Sequence, residues 1–497
     1  MRGAFPALSL LALVLAVYGA GLGHAFVWDD EAIVVGDPDT ANLRAIGGVL
    51  LSPDEVAPYY RPLNRASYLI DHALFGMDPR GFHAVNLALH AASVLALYAV
   101  GRRLFADVAA PWTAAALLAV HPIHAEAVNF VTARNNLFAL LFSLLAFAAF
   151  LDADRDDSRA SSVFSACAFL LALASKEPAL MVLPLMAAWP RLRGMPPLPS
   201  VRRSATLLWP HALALLVYLA ARAIALAGAT AAATGGAGVL RRLSWNLVSI
   251  PRYLGLVVFP GDLTVFHPTL PSAGDALAWV VPSWIAIGIA AIFLSRRASI
   301  PVKVGTAWFV LQLVPIAHLV PIPSAAFAER YFHAAAVGIW IVAADLARLL
   351  PGSSRVRAAT VAAVLLLLSA RSAVRTLDWR DDVSLFQAAV AVDPRSAVAL
   401  ENLGTALKDR GDLSGARSAW ERALRAQPGR PTTLVQLGTL AAVSGDLAEA
   451  ERLYLEALRR DPAIADAWLN LARVYERTGR PAEAARARAR GGSGPSR

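Results

Sequence analysis

The sequence predicts an all-α chain in two parts: a polytopic bundle of about eleven membrane-spanning helices, followed by a short solenoid of paired helices. Two observations carry this prediction. Of the 497 residues, 57% are hydrophobic and only 16% charged, at a mean hydropathy of +0.52, which a soluble domain of ordinary composition does not reach. Beyond Arg371 the composition turns polar, and landmarks recur every 34 residues: Pro394, Pro428 and Pro462; Gly411, Gly445 and Gly479; Ala416, Ala450 and Ala484.

The first part (1–374) opens with an apolar stretch at 5–23. Small residues at Gly23-His24-Ala25 also allow a signal-peptide reading, but a retained first helix is the commoner design ahead of a polytopic chain. Further spans are expected near 82–101, 109–120 (continuing to 131), 135–151, 160–175, 177–190, 204–226, 277–295, 304–320, 331–348 and 358–371. Arginines at 102/103, 155/159, 191–203, 296/297 and 348–357 fall in alternate loops, which the positive-inside rule assigns to the cytoplasm together with the N-terminus. Segments 24–81, 121–134, 175–178, 227–276 and 321–330, and the C-terminal repeats, are then expected outside. Reading 244–260 as a twelfth span breaks this alternation, so it is expected to lie at the interface or re-enter.

In the second part (375–490) the 34-residue period is that of tetratricopeptide repeats. Leu403, Gly404, Ala416, Trp420 and Ala423 fill the pattern in one unit, and Leu437, Gly438, Ala450, Tyr454 and Ala457 in the next. A third unit carries Trp468, Leu471, Ala472 and Tyr475, and Phe386 with Ala389 fit half a preceding unit. Residues 491–497 are expected to be a disordered tail. Only +3 of the formal charge of +10 lies in residues 375–497. The rest suits loops on an anionic leaflet and excludes a nucleic-acid-binding role. Ala and Arg richness suggests a GC-rich bacterial genome and hence an inner membrane. The single cysteine, Cys167, sits in an apolar run and is expected to pack there.

Charged groups near a bilayer are costly, and here they converge on the ends assigned to the outside. The first loop brings Asp29, Asp30 and Glu31 behind Phe26 and Trp28, then "YYRPLNRASYLIDH" with Arg61 and Arg65. The next turns bring "HPIHAEAVNFVTARNN" with His121, His124, Glu126 and Arg134, "SKEP" with Lys176 and Glu177, and "SAAFAERYFH" with Glu329, Arg330 and Tyr331. Acids beside cations can hold an anionic head group and leave a carboxylate to act as base. Taken singly, Asp29–Glu31 also read as a helix stop, and Lys176-Glu177 and Glu329-Arg330 as structural ion pairs. The His121-x-x-His124-x-Glu126 spacing resembles metal ligation only superficially, because Pro122 disturbs the helix that would align the imidazoles. A divalent metal is possible but not favoured, and no cofactor is expected. Trp and Tyr near helix ends are expected to be interfacial anchors.

An Asp-Asp after the first helix, then "YRPL", "HPIHAEAV", "SKEP" and "AERY" ahead of tetratricopeptide repeats, resemble the transmembrane and tetratricopeptide repeat-containing O-mannosyltransferases and their bacterial relatives. The resemblance implies a GT-C-type membrane glycosyltransferase fold and a polyprenyl-phosphate sugar as donor. It implies transfer outside the cytoplasm; the acceptor is expected to be a hydroxyl of protein Ser or Thr, and a single displacement is expected to invert the anomeric carbon. It places the catalytic acid at Asp29 beside Asp30. Arg61, His121, His124, Glu126, Arg134, Lys176, Glu177, Glu329, Arg330 and Tyr331 would then bind the donor's phosphate and sugar, and the repeats the acceptor protein. Asn135-Asn136 stands where the family pattern suggests an Asp, which leaves a second carboxylate in that turn in doubt. The rival reading is a non-catalytic membrane scaffold that displays the repeats to an envelope or secretion complex.

Overall fold

A computed structural model describes residues 5–53, 59–227, 239–267, 273–295, 299–317 and 327–492, and every regular element among them is helical. The chain divides into two compact units, Met1–Val265 with Thr269–Asp381, and Phe266–Pro268 with Asp382–Arg497.

In the first unit six helices are long and apolar enough to cross a membrane: Phe5–Gly23, Pro79–Leu104, Val131–Asp156, Pro197–Ala225, Glu329–Leu349 and Ser354–Asp378. These coincide with six of the eleven expected spans. Four others form shorter helices, Ala109–Val120, Arg159–Ser175, Val182–Leu192 and Ile300–Leu313, and the one near 277–295 lies in helix Ala273–Ser295. The helix Ala109–Val120 stops where Pro122 begins a broken stretch of short turns that runs to Ala133. Every residue from 121 to 133 is buried. Protein surrounds this irregular backbone and meets its polar groups.

The helices close on one another through small residues. A Cβ on Gly338 would collide with the Gly305 carbonyl, and one on Gly305 would come within 2.7 Å of the Gly338 carbonyl, so these two helices touch backbone to backbone. Asp78, Ser158, Ser299 and Ser353 cap the helices that follow them, each accepting from a backbone N–H of the first turn. The arginine-rich loops gather at one end, where Arg103 pairs with Asp152, Arg203 and Arg193 with the buried Asp154, and Arg348 with Asp107. The Arg296/Arg297 turn lies outside the described residues.

Two expectations need correction. Cys167 is exposed on the Arg159–Ser175 helix rather than packed, because helical spacing turns it away from the buried Ser165, Ala166, Ala168 and Phe169. Gly491 and Gly492 close the last helix, Pro481–Gly492, rather than belonging to the tail. Gly491 packs there against the Leu469 side chain, and residues 493–497 lie outside the described residues. The 244–260 stretch forms most of helix Val239–Val258, which is not among the six long apolar ones. Its Tyr253 stacks on Phe327 and Phe332 at 3.9 and 4.7 Å, and its Phe259 end is exposed.

In the second unit, helix Asp382–Val392 precedes three pairs: Ala397–Asp409 with Leu413–Ala426, Pro431–Val443 with Leu447–Arg460, and Ala465–Arg477 with Pro481–Gly492. A continuous core runs through them from Ala416 to Ala487. The repeat glycine has a packing cause: a Cβ on Gly404 would enter the Trp420 ring, and one on Gly438 would meet the Tyr454 ring at 2.8 Å.

Candidate active site

The Asp29-Asp30 pair is split by backbone geometry. Trp28 holds φ +53°, a left-handed conformation that is uncommon for a large side chain. Its indole stacks on Phe130 at 5.4 Å with the rings 12° apart. The chain beyond it turns Asp30 fully into the protein, where its carboxylate accepts from Thr132 N at 2.8 Å and Val27 N at 3.3 Å. Burial pushes this carboxyl up to about 7, and the backbone N–H donors offset only part of that. Asp29 stays half-buried. Burial raises its pKa too, while the positive charge of Arg330 acts in the opposite direction.

Arg330 joins Asp29 to the next group. Its guanidinium pairs with the buried Glu126 carboxylate, and its backbone N–H donates to the other Glu126 oxygen at 2.9 Å. The same guanidinium lies over Tyr331, Trp28 and Phe130 at 5.1, 5.8 and 5.9 Å. Lys176 sits over the other side of this patch, its Nζ 5.2 Å from the Tyr331 ring and donating to Asn136 Oδ1 at 2.6 Å. Burial holds the Lys176 amine well below the ordinary lysine range, and Arg61 and Arg330 push it further down. Beside it, Glu177 accepts from Arg61 at 3.0 and 3.2 Å and from Arg222 at 3.4 Å. Burial alone would raise Glu177, but these two cations keep it below the usual carboxylate range. Asp29, Arg61, Glu126, Lys176, Glu177, Arg330 and Tyr331 therefore belong to one polar cluster, assembled from five separate stretches of chain.

Other candidates lie elsewhere. Arg134 is completely buried in an ion pair with Asp71 at 2.6 Å, and it donates to Asn86 Oδ1, Ser67 Oγ and the Phe82 carbonyl at 2.7, 3.0 and 2.9 Å. A guanidinium so engaged locks the first loop to the bundle. Glu329 turns away from its neighbour Arg330: it accepts from Thr264 N at 2.6 Å and lies 3.7 Å from Arg375. His121 bonds to the Val257 carbonyl at 2.9 Å, and His124 to His333 at 2.9 Å and to the Trp340 indole N–H at 3.0 Å. Both imidazoles are buried, and among the described residues no group of three or more His, Cys, Asp or Glu is arranged to hold a metal.

Three members of the cluster escape the sequence reading. Trp28 reads as an interfacial anchor but is the floor beneath Arg330. Asn136 reads as a departure from a family pattern but receives the Lys176 proton donor. Arg222 lies in the last turn of helix Pro197–Ala225, and an isolated cation at the end opposite the arginine-rich loops was a usable signal.

The tetratricopeptide repeat family matches residues 367–431 and 435–495. The chain is similar over most of its length to protein O-mannosyl-transferases. It is 24% identical to the Caenorhabditis elegans protein O-mannosyl-transferase F38B6.6 over 84% of this chain and 62% of that one. It is 26% identical to human protein O-mannosyl-transferase TMTC4 over 79% and 62%, and 36% identical to human TMTC1 over 26% and 16%. The alignments with F38B6.6 and TMTC4 thus span about three-fifths of those relatives' length. Among solved structures, ArnT from Cupriavidus metallidurans bound to undecaprenyl phosphate aligns with TM-score 0.44 and 16% identity, over 93% of this chain and 80% of that one. The Archaeoglobus fulgidus oligosaccharyltransferase in its apo form aligns with TM-score 0.43 and 14% identity, over 84% and 59%.

Proposed function

We propose that the chain is a membrane glycosyltransferase of the GT-C type that moves a sugar from a polyprenyl-phosphate donor to a hydroxyl of an acceptor protein, on the non-cytoplasmic side of a bacterial inner membrane. The observation that carries this reading is the polar cluster itself, in which a half-buried carboxylate lies within the field of Arg330 at the end of an apolar bundle, with Lys176, Arg61 and Arg222 close by. The similarity to protein O-mannosyl-transferases supports it.

Glycosyl transfer passes through a state with positive charge at the anomeric carbon. In the proposed step Asp29 takes the proton of the acceptor hydroxyl as its oxygen bonds to that carbon. The bond from the carbon to the phosphate oxygen breaks, and its electron pair leaves with the polyprenyl phosphate. Lys176 and Arg330 stabilise the phosphate as its charge grows. A single displacement of this kind inverts the anomeric configuration. Burial suits Asp29 to the base role by raising its proton affinity toward working pH. Asp30, fixed by two backbone donors, positions the turn. The tetratricopeptide repeats hold the acceptor polypeptide.

The test is transfer from a polyprenyl-phosphate sugar to acceptor protein in membranes. Asp29→Asn is expected to lower kcat/KM by roughly 100- to 10,000-fold, the usual contribution of a positioned base, with the protein still folded. Full activity in that variant removes Asp29 from the mechanism. Absence of transfer by the unsubstituted chain with every envelope acceptor favours the scaffold reading.

A further inference from the structure

Glu177 stands between two guanidiniums that come from distant parts of the chain, Arg61 just before helix Pro62–Phe75 and Arg222 at the end of helix Pro197–Ala225. Its Oε2 meets Arg61 and its Oε1 meets Arg222. The three side chains are partly open, at 16%, 31% and 32% exposure for Arg61, Glu177 and Arg222. Two cations and one anion leave this triad with an excess positive charge. A carboxylate held by two guanidiniums presents its oxygens as a phosphate would, since both anions fit the same N–H forks. Lys176 lies within the electrostatic reach of Arg61, Glu177, Arg330 and Glu126 together, which ties the triad to the cluster around Arg330.

We propose that Glu177 is an internal placeholder for the donor's phosphate: before the donor binds, its carboxylate takes the Arg61 Nε and Nη2 fork and the Arg222 Nη1 donor, and the incoming phosphoester displaces it. The inference rests on the transferase reading and adds to it Arg222 as a phosphate ligand and a competition at the site. A buried structural pair would have to be broken at high cost, but an open carboxylate can swing into water and remain hydrated. The arrangement keeps the guanidiniums from repelling each other before the lipid arrives, and its occupancy by Glu177 weakens binding of the spent polyprenyl phosphate as well as of the donor.

The experiment measures binding of a polyprenyl phosphate to the full chain in nanodiscs of zwitterionic lipid. The matching polyprenol, inorganic phosphate and an anionic phospholipid serve as competitors. Glu177→Gln keeps the shape and one acceptor oxygen but gives up the charge, and it is expected to bind the polyprenyl phosphate about fivefold more tightly, the scale of a partly exposed ion pair. Arg222→Gln is expected to bind it several-fold more weakly. Unchanged or weaker binding by Glu177→Gln, with the unsubstituted chain still binding, overturns the placeholder and leaves Glu177 as a brace for the arginines, without touching the transferase reading. Equal competition by polyprenol, or by the anionic phospholipid at the same concentration, overturns phosphoester recognition at the triad. No binding by the unsubstituted chain overturns both the placeholder and the proposed donor.

Discussion

Replacing Asp30 with Asn tests whether this acid is a buried positioning group. Its carboxyl titrates near 7 in the folded protein against 3.8 for an ordinary Asp, because burial penalises the charge more than Thr132 N and Val27 N stabilise it. A group whose folded pKa is raised stabilises the fold most fully below its unfolded pKa, and that contribution is lost as pH climbs through the folded value. The unfolded chain gives up this proton near pH 4 and the native chain near pH 7. Stability from Asp30 therefore falls across that window by as much as about 4 kcal/mol, since each pH step of one costs about 1.4 kcal/mol while only the folded chain keeps the proton. Asn has no proton to lose. Comparing the two proteins from pH 5 to 8 cancels the other titrating groups, and the stability of the wild type relative to Asp30→Asn is expected to fall by about 2 kcal/mol between pH 5 and 7. Unfolding in mixed micelles, followed by tryptophan fluorescence, reads this directly. Parallel curves for the two proteins would refute the reasoning, because they would mean that Asp30 is ionised in the fold throughout.

Two further perturbations separate structural from chemical roles. Asp71→Asn leaves the fully buried Arg134 with neutral acceptors only, so unfolding is expected to become easier by about 3 kcal/mol, in the range for breaking a buried pair. A fall in donor affinity with unchanged stability would instead place Arg134 in the binding site. Gly338→Leu drives a side chain into the Gly305 carbonyl and Phe309 N, and the detergent-solubilised protein is expected to lose its single peak in size-exclusion chromatography. By contrast Leu366→Ala, at a position 70% exposed, is expected to leave that profile as it was.

The repeats and long spans were legible because each depends on a pattern that extends over many residues. The packing of Trp420 against Gly404 recurs one unit later as Tyr454 against Gly438, and hydropathy alone marks Val131–Asp156 as a span. The short buried helices were less legible: apolar residues give the same signal whether they face lipid or other helices, so Ala109–Val120 reads as spanning though it stops at Pro122. Within the site, composition located the ends where charges gather but not which partner each charge chooses. Arg134 pairs with Asp71, 63 positions away, and Glu329 with Arg375 rather than with anything near Arg330. Such choices depend on how helices are rotated against one another, which no local pattern records. Asn136 and Trp28 illustrate the same limit, since each acquires its role only when Lys176 or Arg330 arrives from elsewhere.

Glu329 and Arg330 are neighbours in sequence with opposite charge and divergent partners, and further along their helix Gly338 meets Gly305 of helix Ile300–Leu313 without an intervening layer of side chains. Successive residues on a helix point about 100° apart, so deleting one residue between Arg330 and Gly338 would move Glu329 into the setting of Arg330, facing Glu126, and Arg330 into that of Tyr331. The acid would then confront its own sign, and the cation would lose Glu126. The azimuth of this helix is thus pinned near its middle by mutual contact of main chains and at its start by charge, and no intermediate setting satisfies both.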